Sequence, residues 1–335
     1  PDIVYALFTD GLSIISLYRS NDFGTSWTDV DSDRELRSGD GTFSWYFGQV
    51  RVHPTNPNIV YVLDVSFMRS TDGGNTWPIK YGYGGPSELH VDHHAMAFNP
   101  ADPSFIISGN DGGINVSTNG GQTFSQPINI PATQFYEIGL DFNYPQKLYG
   151  GTQDNGTNRT PDGSINNWES IVDYNNSNII YAESQNGWLG KTSNGGLSWI
   201  DGMLNGIDGS EPTNWSTPVV MDPISSNILY YGTHSLYRTT DGAENWSKIS
   251  PQLTDWVTGR RLGTITTIAV APTNSNVIYV GTDDAHVWVS SDNGTNWNDV
   301  SAGLPQRWVT RVVVDPKDEN IIYVTFSGLK WRDSQ

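Results

Sequence analysis

Six histidines occur in this chain, and three of them fall with an aspartate in one pentapeptide, His90-Val91-Asp92-His93-His94. Imidazoles and a carboxylate this close suit two kinds of chemistry, ligation of a divalent cation and acid–base catalysis near neutral pH. On an extended chain, alternation puts His90, Asp92 and His94 on one side and His93 on the other. Three glycine-flanked segments add carboxylates and amides: Gly109-Asn110-Asp111-Gly112-Gly113, Gly151-Thr152-Gln153-Asp154-Asn155-Gly156, and Gly281-Thr282-Asp283-Asp284 with His286 just beyond. The candidate catalytic carboxylates are therefore Asp92, Asp111, Asp154, Asp283 and Asp284. Glycoside hydrolysis needs two such groups roughly 5 to 9.5 Å apart, one with a raised pKa. His90, His93, His94, Asn110, Gln153, Asn155, Trp188 and His286 are the candidate ligand contacts, because amides and imidazoles hydrogen-bond sugar hydroxyls. Trp45, Trp188, Trp215, Trp256 and Trp308 offer faces for stacking. The plainer account of the same residues is Asx-capped glycine turns and a histidine bonded to a loop carbonyl. The ordered spacing of an EF-hand loop is missing, so no metal ligand is assigned. No cofactor is expected, calcium being the one cation these oxygens would suit.

What must position these residues is a repeat. An octet of the form Ser/Thr-x-Asp/Asn-x-Gly-x-x-Trp/Phe, with Ala for Gly in one copy, ends at Trp27, Trp77, Phe124, Trp199, Trp246 and Trp297. A longer, degenerate copy spans Thr160 to Trp168. The aromatic positions are 44 to 51 residues apart, except for one step of 31 between Trp168 and Trp199. That is the period of a four-stranded propeller blade. In the octet the Asp or Asn bonds its own backbone, the glycines supply positive φ, and the aromatic folds back between sheets.

Each octet follows a second motif, an apolar strand, a Pro/Asn/Asp turn and an Ile/Val-Tyr strand, as in Val219-Val220-Met221-Asp222-Pro223 to Ile228-Leu229-Tyr230. The same motif begins near Val50, Ala95, Ile138, Val172, Ile268 and Val312. Every repeat thus supplies an inner hairpin of near-continuous apolar strands and an outer hairpin whose turn is the octet. The spacing predicts an all-β chain, a β-propeller of four-stranded antiparallel blades, seven in number with eight as the alternative. Residues 1–335 read as a single propeller domain within a longer polypeptide. The octets and Pro turns fall at one end of each blade, and the chemically varied loops at the other.

The octet resembles the Asp-box, or BNR, repeat of sialidases, family 74 xyloglucanases, sortilin/VPS10 ectodomains and secreted bacterial repeat proteins. The resemblance covers essentially the whole chain. The segments at His90, Gly109, Gly151 and Gly281 make it most similar to the sortilin-like and xyloglucanase-like members. It implies a secreted or cell-surface protein. A sialidase is disfavoured, since the arginine cluster that would grip a substrate carboxylate and the Phe/Tyr-Arg-Ile-Pro signature are missing.

Composition narrows the remaining classes. With 36 acidic against 18 basic residues, a net charge of −18 and no basic cluster, nucleic acid is not an expected partner. Zero cysteine excludes thiol catalysis, Cys-ligated zinc and disulfides. No apolar run approaches the roughly 18 residues of a spanning helix. Two readings follow. The first is a non-catalytic binding or scaffold module for carbohydrate or extracellular protein, joined to further domains. The second is a xyloglucanase-like glycoside hydrolase using a pair of Asp carboxylates at the propeller mouth.

Overall fold

The computed structural model describes residues 2–10, 12–37, 43–82, 89–126, 135–145, 147–152, 157–159, 163–165, 169–255 and 263–328. Apart from three short helical turns, its regular structure is all strand. The chain forms two compact units, 1–133 and 134–335.

The first unit holds three antiparallel sheets. They comprise Val4–Thr9, Ile14–Ser20 and Thr28–Asp29; then Gln49–Val52, Val60–Leu63, Phe67–Ser70 and Ile79–Tyr81; then His93–Phe98, Ile106–Asn110 and Gly113–Ser117. The second unit holds four sheets of four strands, whose first strands are Phe135–Leu140, Glu169–Val172, Val219–Met221 and Ile265–Val270, and a final pair, Val309–Val314 with Ile322–Phe326. Strand order follows chain order in every sheet, so each is a simple meander. The chain is all-β and of the β-propeller class, its unit being the four-stranded antiparallel blade.

In the four-stranded sheets burial peaks at the second strand and falls to the outermost, while the first strand is less buried than the second, as in Gln49–Val52 and Val219–Met221. Val60–Leu63 and Ile278–Thr282 are buried on both faces, whereas Ser247–Lys248 and Asn298–Asp299 are exposed. The core is a series of layers between successive sheets. Leu17 and Val30 of the first sheet meet Val60, Val62 and Met68 of the second, with the octet ring Trp77 closing the layer. Phe124 and Trp246 occupy the same place in their layers.

The octet geometry repeats closely. In Ser70 to Trp77, Ser70 Oγ donates to Asp72 Oδ1 at 2.8 Å and accepts from Gly74 N at 2.9 Å. Asp72 Oδ1 accepts from Thr76 N at 3.0 Å and its Oδ2 from Thr76 Oγ1 at 2.7 Å. Gly73 and Gly74 take φ of +79° and +95°, which L side chains rarely adopt. The turn satisfies its own polar groups and leaves the tryptophan for packing.

One expectation is corrected: of the degenerate copy at 160–168, the described residues Gly163–Ile165 do not form an octet turn but pair with Thr157–Arg159 as the outermost strand of their sheet. Across the 31-residue step from Trp168 to Trp199 the sheet is complete: Glu169–Val172, Ile180–Ser184, Trp188–Thr192 and Ile200–Asp201 form four strands.

Candidate functional site

In the four-stranded sheets that begin at Gln49, Glu169, Val219 and Ile265, the octet turn joins the third strand to the fourth, so the turn between the second and third strands lies at the opposite end, with the connection that enters the first strand. The first unit collects His90 to His94, Asn110 to Gly113 and the one-turn helix Ser44–Phe47 at that end. Ser44 Oγ fixes the helix by donating to the buried Asp64 Oδ2 at 2.5 Å.

The pentapeptide does not run as one extended strand. Asp92 has φ of +63°, its N–H donates to Val65 O at 2.9 Å, and the strand begins only at His93. His90 turns its Nδ1 to Val91 O at 3.1 Å. The side of the chain expected to carry His90, Asp92 and His94 together is therefore broken at Asp92, and no metal-type cluster is formed by them among the described residues. His93 points inward, fully buried, with Nδ1 3.3 Å from Ser108 Oγ. Burial, reinforced by His90 and His94, pulls its pKa down to about 3. Asn110, its strand partner, is buried and donates to Asn115 Oδ1 at 2.9 Å.

His94 points outward. Its Nε2 lies 2.5 Å from Asp111 Oδ1, and its ring makes edge contacts with Tyr46 and Phe47 at centroid distances of 5.8 and 5.1 Å. Trp45 packs on Tyr46 at 5.5 Å, and the two rings are 64% and 59% exposed. The result is a solvent-facing aromatic shelf beside a histidine–carboxylate pair. Such a surface can stack on an apolar sugar face while the pair hydrogen-bonds or exchanges a proton with a hydroxyl. The shelf helix carried no catalytic signal in the sequence; only Trp45 stood out, as one of five tryptophans.

The second unit places its candidates differently. Gln153, Asp154 and Asn155 lie outside the described residues, as does Trp256. Trp188 is half-buried at the start of its strand, and Trp308 is half-buried too. Trp215 is exposed. Asp283 is buried; its Oδ1 accepts from Gly263 N and Thr264 N, both at 2.8 Å, and its Oδ2 from Thr264 Oγ1 at 2.7 Å. Burial raises its pKa against those bonds. It works as a brace between two loops.

Asp284, one residue on, is more open and gathers a group. Its carboxylate, that of Asp255 and the ring of His286 each offer a ligand atom, all within 4.8 Å of one another. Asp299 Oδ2 lies 3.0 Å from His286 Nδ1. Burial alone would lower the His286 pKa, but Asp299, Asp284 and Asp255 outweigh it and raise it. Asp255 and Asp284 are closer than the roughly 5 to 9.5 Å that separates carboxyls across a scissile glycosidic bond. The sequence singled out Asp284 and His286; Asp255 comes from the connection before Ile265–Val270 and Asp299 from the outermost strand Asn298–Asp299, and only the fold brings them in.

A third polar group holds the long loop 201–215. Glu211, with a side chain only 4% exposed, accepts from Tyr237 OH at 2.9 Å and from Thr233 Oγ1 and Lys248 Nζ. Burial works against its ionisation, yet Lys248, Thr233 and Tyr237 hold its pKa below the usual value.

No protein-family model matches the chain. In sequence it is similar to a probable oligoxyloglucan-reducing end-specific xyloglucanase of Neosartorya fischeri, 24% identical over 235 residues, covering 66% of this chain and 26% of that protein. It is also similar to a xyloglucanase of Hypocrea jecorina, 27% identical over 174 residues, covering 43% of this chain and 20% of that one. The chain thus spans about a quarter or less of the length of the curated relatives it matches. Among solved structures, an ancestral GH74 enzyme aligns over 81% of this chain and 33% of its own, at 20% identity and a TM-score of 0.35. No helix among the described residues is long and apolar enough to cross a membrane.

Proposed function

We propose that this chain belongs to a secreted, glycan-active β-propeller of the xyloglucanase kind, with Asp111 and the Trp45–Tyr46 shelf in contact with a β-linked polysaccharide. The octets are then Asp-box repeats serving the scaffold, and the chemistry lies in the loops at the other end. The observation that carries this reading is the sequence similarity to two xyloglucanases, in one case over two thirds of the chain. It favours the hydrolase reading over a non-catalytic module. The shelf supports it by joining exposed aromatic faces to a carboxylate paired with the His94 imidazole.

The test is release of reducing ends from xyloglucan and binding to it by calorimetry, using the full chain. Asp111→Asn should cut hydrolysis on the order of a hundredfold or more, as loss of a positioned acid or base does, with binding retained. Trp45→Ala should weaken binding by about tenfold, the loss expected for one aromatic stacking contact. Binding without hydrolysis in the unaltered chain would restore the non-catalytic module. Neither activity would move the search to protein partners.

A further inference from the structure

We propose that Asp255, Asp284 and His286 form a site for a divalent transition-metal ion, zinc fitting best, with Asp299 orienting the histidine from behind. The site is independent of the glycan reading and lies on different loops from the shelf.

The geometry comes from a tight turn and one neighbouring connection. Asp284 and His286 flank Ala285, whose φ of +79° closes the turn between Ile278–Thr282 and Val287–Ser290. Thr282 stiffens the turn: its hydroxyl donates to Asp284 Oδ1 at 2.5 Å and accepts from His286 N at 3.0 Å. Asp255 arrives on the connection before Ile265–Val270, and its N–H donates to Asp284 Oδ2 at 2.6 Å. These contacts hold the backbone that carries the three donors. His286 Nε2 lies 3.4 Å from Asp255 Oδ2. Two donors on a tetrahedral ion with bonds of about 2.1 Å stand about 3.4 Å apart.

The second observation is the imidazole's other nitrogen. Asp299 Oδ2, 3.0 Å from Nδ1, accepts a hydrogen bond there and leaves Nε2 facing Asp255, so that an ion binding at Nε2 would take the place of its proton. Asp299 is itself held, its Oδ1 accepting from Ser301 N at 2.8 Å. This carboxylate–histidine arrangement accompanies most metal-bound histidines. Charge points the same way: among the described residues no Lys or Arg is ion-paired with Asp255, Asp284 or Asp299. One imidazole nitrogen with two carboxylate oxygens suits a borderline ion; calcium would want six to eight oxygens. Three protein donors leave a fourth position for water or a hydroxyl ligand.

The experiment is calorimetric titration of the untagged, chelator-stripped full chain with zinc chloride, and with calcium chloride in parallel. We expect one equivalent of zinc to bind, with calcium at least tenfold weaker. His286→Gln and Asp255→Asn should each weaken zinc by about tenfold or more, and Asp299→Asn by about 10- to 100-fold, as losses of orienting partners do. The Asp255 side chain is 78% exposed, so Asp255→Asn should fold as the unaltered chain does, checked by circular dichroism. His53→Ala, on the other unit, should change nothing. Absence of saturable one-to-one zinc binding, unchanged affinity in Asp255→Asn or His286→Gln, or loss in His53→Ala would each overturn the assignment.

Discussion

At the scale of single residues, two histidines one position apart have opposite fates. His94 faces solvent and pairs with Asp111, while His93 is fully buried and has a pKa of about 3. A histidine free in the unfolded chain titrates near 6.5. Between those values the unfolded chain binds a proton that the folded chain excludes, so the stability His93 contributes is complete above pH ~6.5 and is lost as the pH falls toward 3. The slope approaches about 1.4 kcal/mol per pH unit for one group. His93→Gln should therefore flatten the fall in Tm between pH 7 and pH 4.5, whatever it does to Tm at pH 7. Parallel Tm-against-pH curves for the two proteins would show that His93 is not the group responsible. Alternation alone could separate the two side chains but not say which was inside, because that depends on Phe67, whose ring lies 5.8 Å from His93 on the preceding sheet.

At the scale of elements, the octet ring belongs to the layer between two sheets and not to its own turn. Trp246 is 4% exposed, packs with Tyr231 and Tyr237, and donates Nε1–H to Met203 O at 2.8 Å. Trp27 ends an equivalent octet, yet it is 43% exposed and its Nε1–H reaches only Gly24 O in the same turn. Trp246→Ala should cost about 3 to 5 kcal/mol, the usual range for a buried aromatic, and Trp27→Ala under about 1 kcal/mol. Urea denaturation of both variants checks this, and equal losses would mean that the octet stabilises chiefly within itself. Hairpins, turns and blade type were legible in the sequence because each is written locally, in strand periodicity and in the Ser-x-Asp-x-Gly spacing. The degenerate copy at 160–168 misled for the same reason: its aromatic matched the pattern, whereas Gly163 to Ile165 had already paired as a strand. The site was legible only where its parts are local. Asp284 and His286 stand two residues apart, but Asp255 is 29 residues upstream of Asp284, and no spacing rule links them. Asp283 misled in the other direction: in sequence it is the equal of Asp284, and only Gly263 and Thr264, folded over it, turn it into a brace.

At the scale of the whole molecule, stability is distributed over layers between sheets, each owned jointly by two repeats. The last layer of the second unit illustrates this. Val309, Val312 and Val314 are buried against Ala271, Val277, Tyr279 and Val287 of the preceding sheet, while Val313 and Tyr323 on the far side are 51% and 63% exposed. Deleting residues 307–335 therefore removes one wall of a layer and leaves the other wall wet. Burying a valine contributes at least about 1.5 kcal/mol, so three of them contribute on the order of 5 kcal/mol, a large share of a typical domain's stability. The shortened chain should melt well below the full chain and bind a hydrophobic dye at the exposed Tyr279–Val287 face. A melt that coincides with the full chain's, without dye binding, would mean that each sheet is stable alone and that the layers contribute little, against the jointly owned core described here.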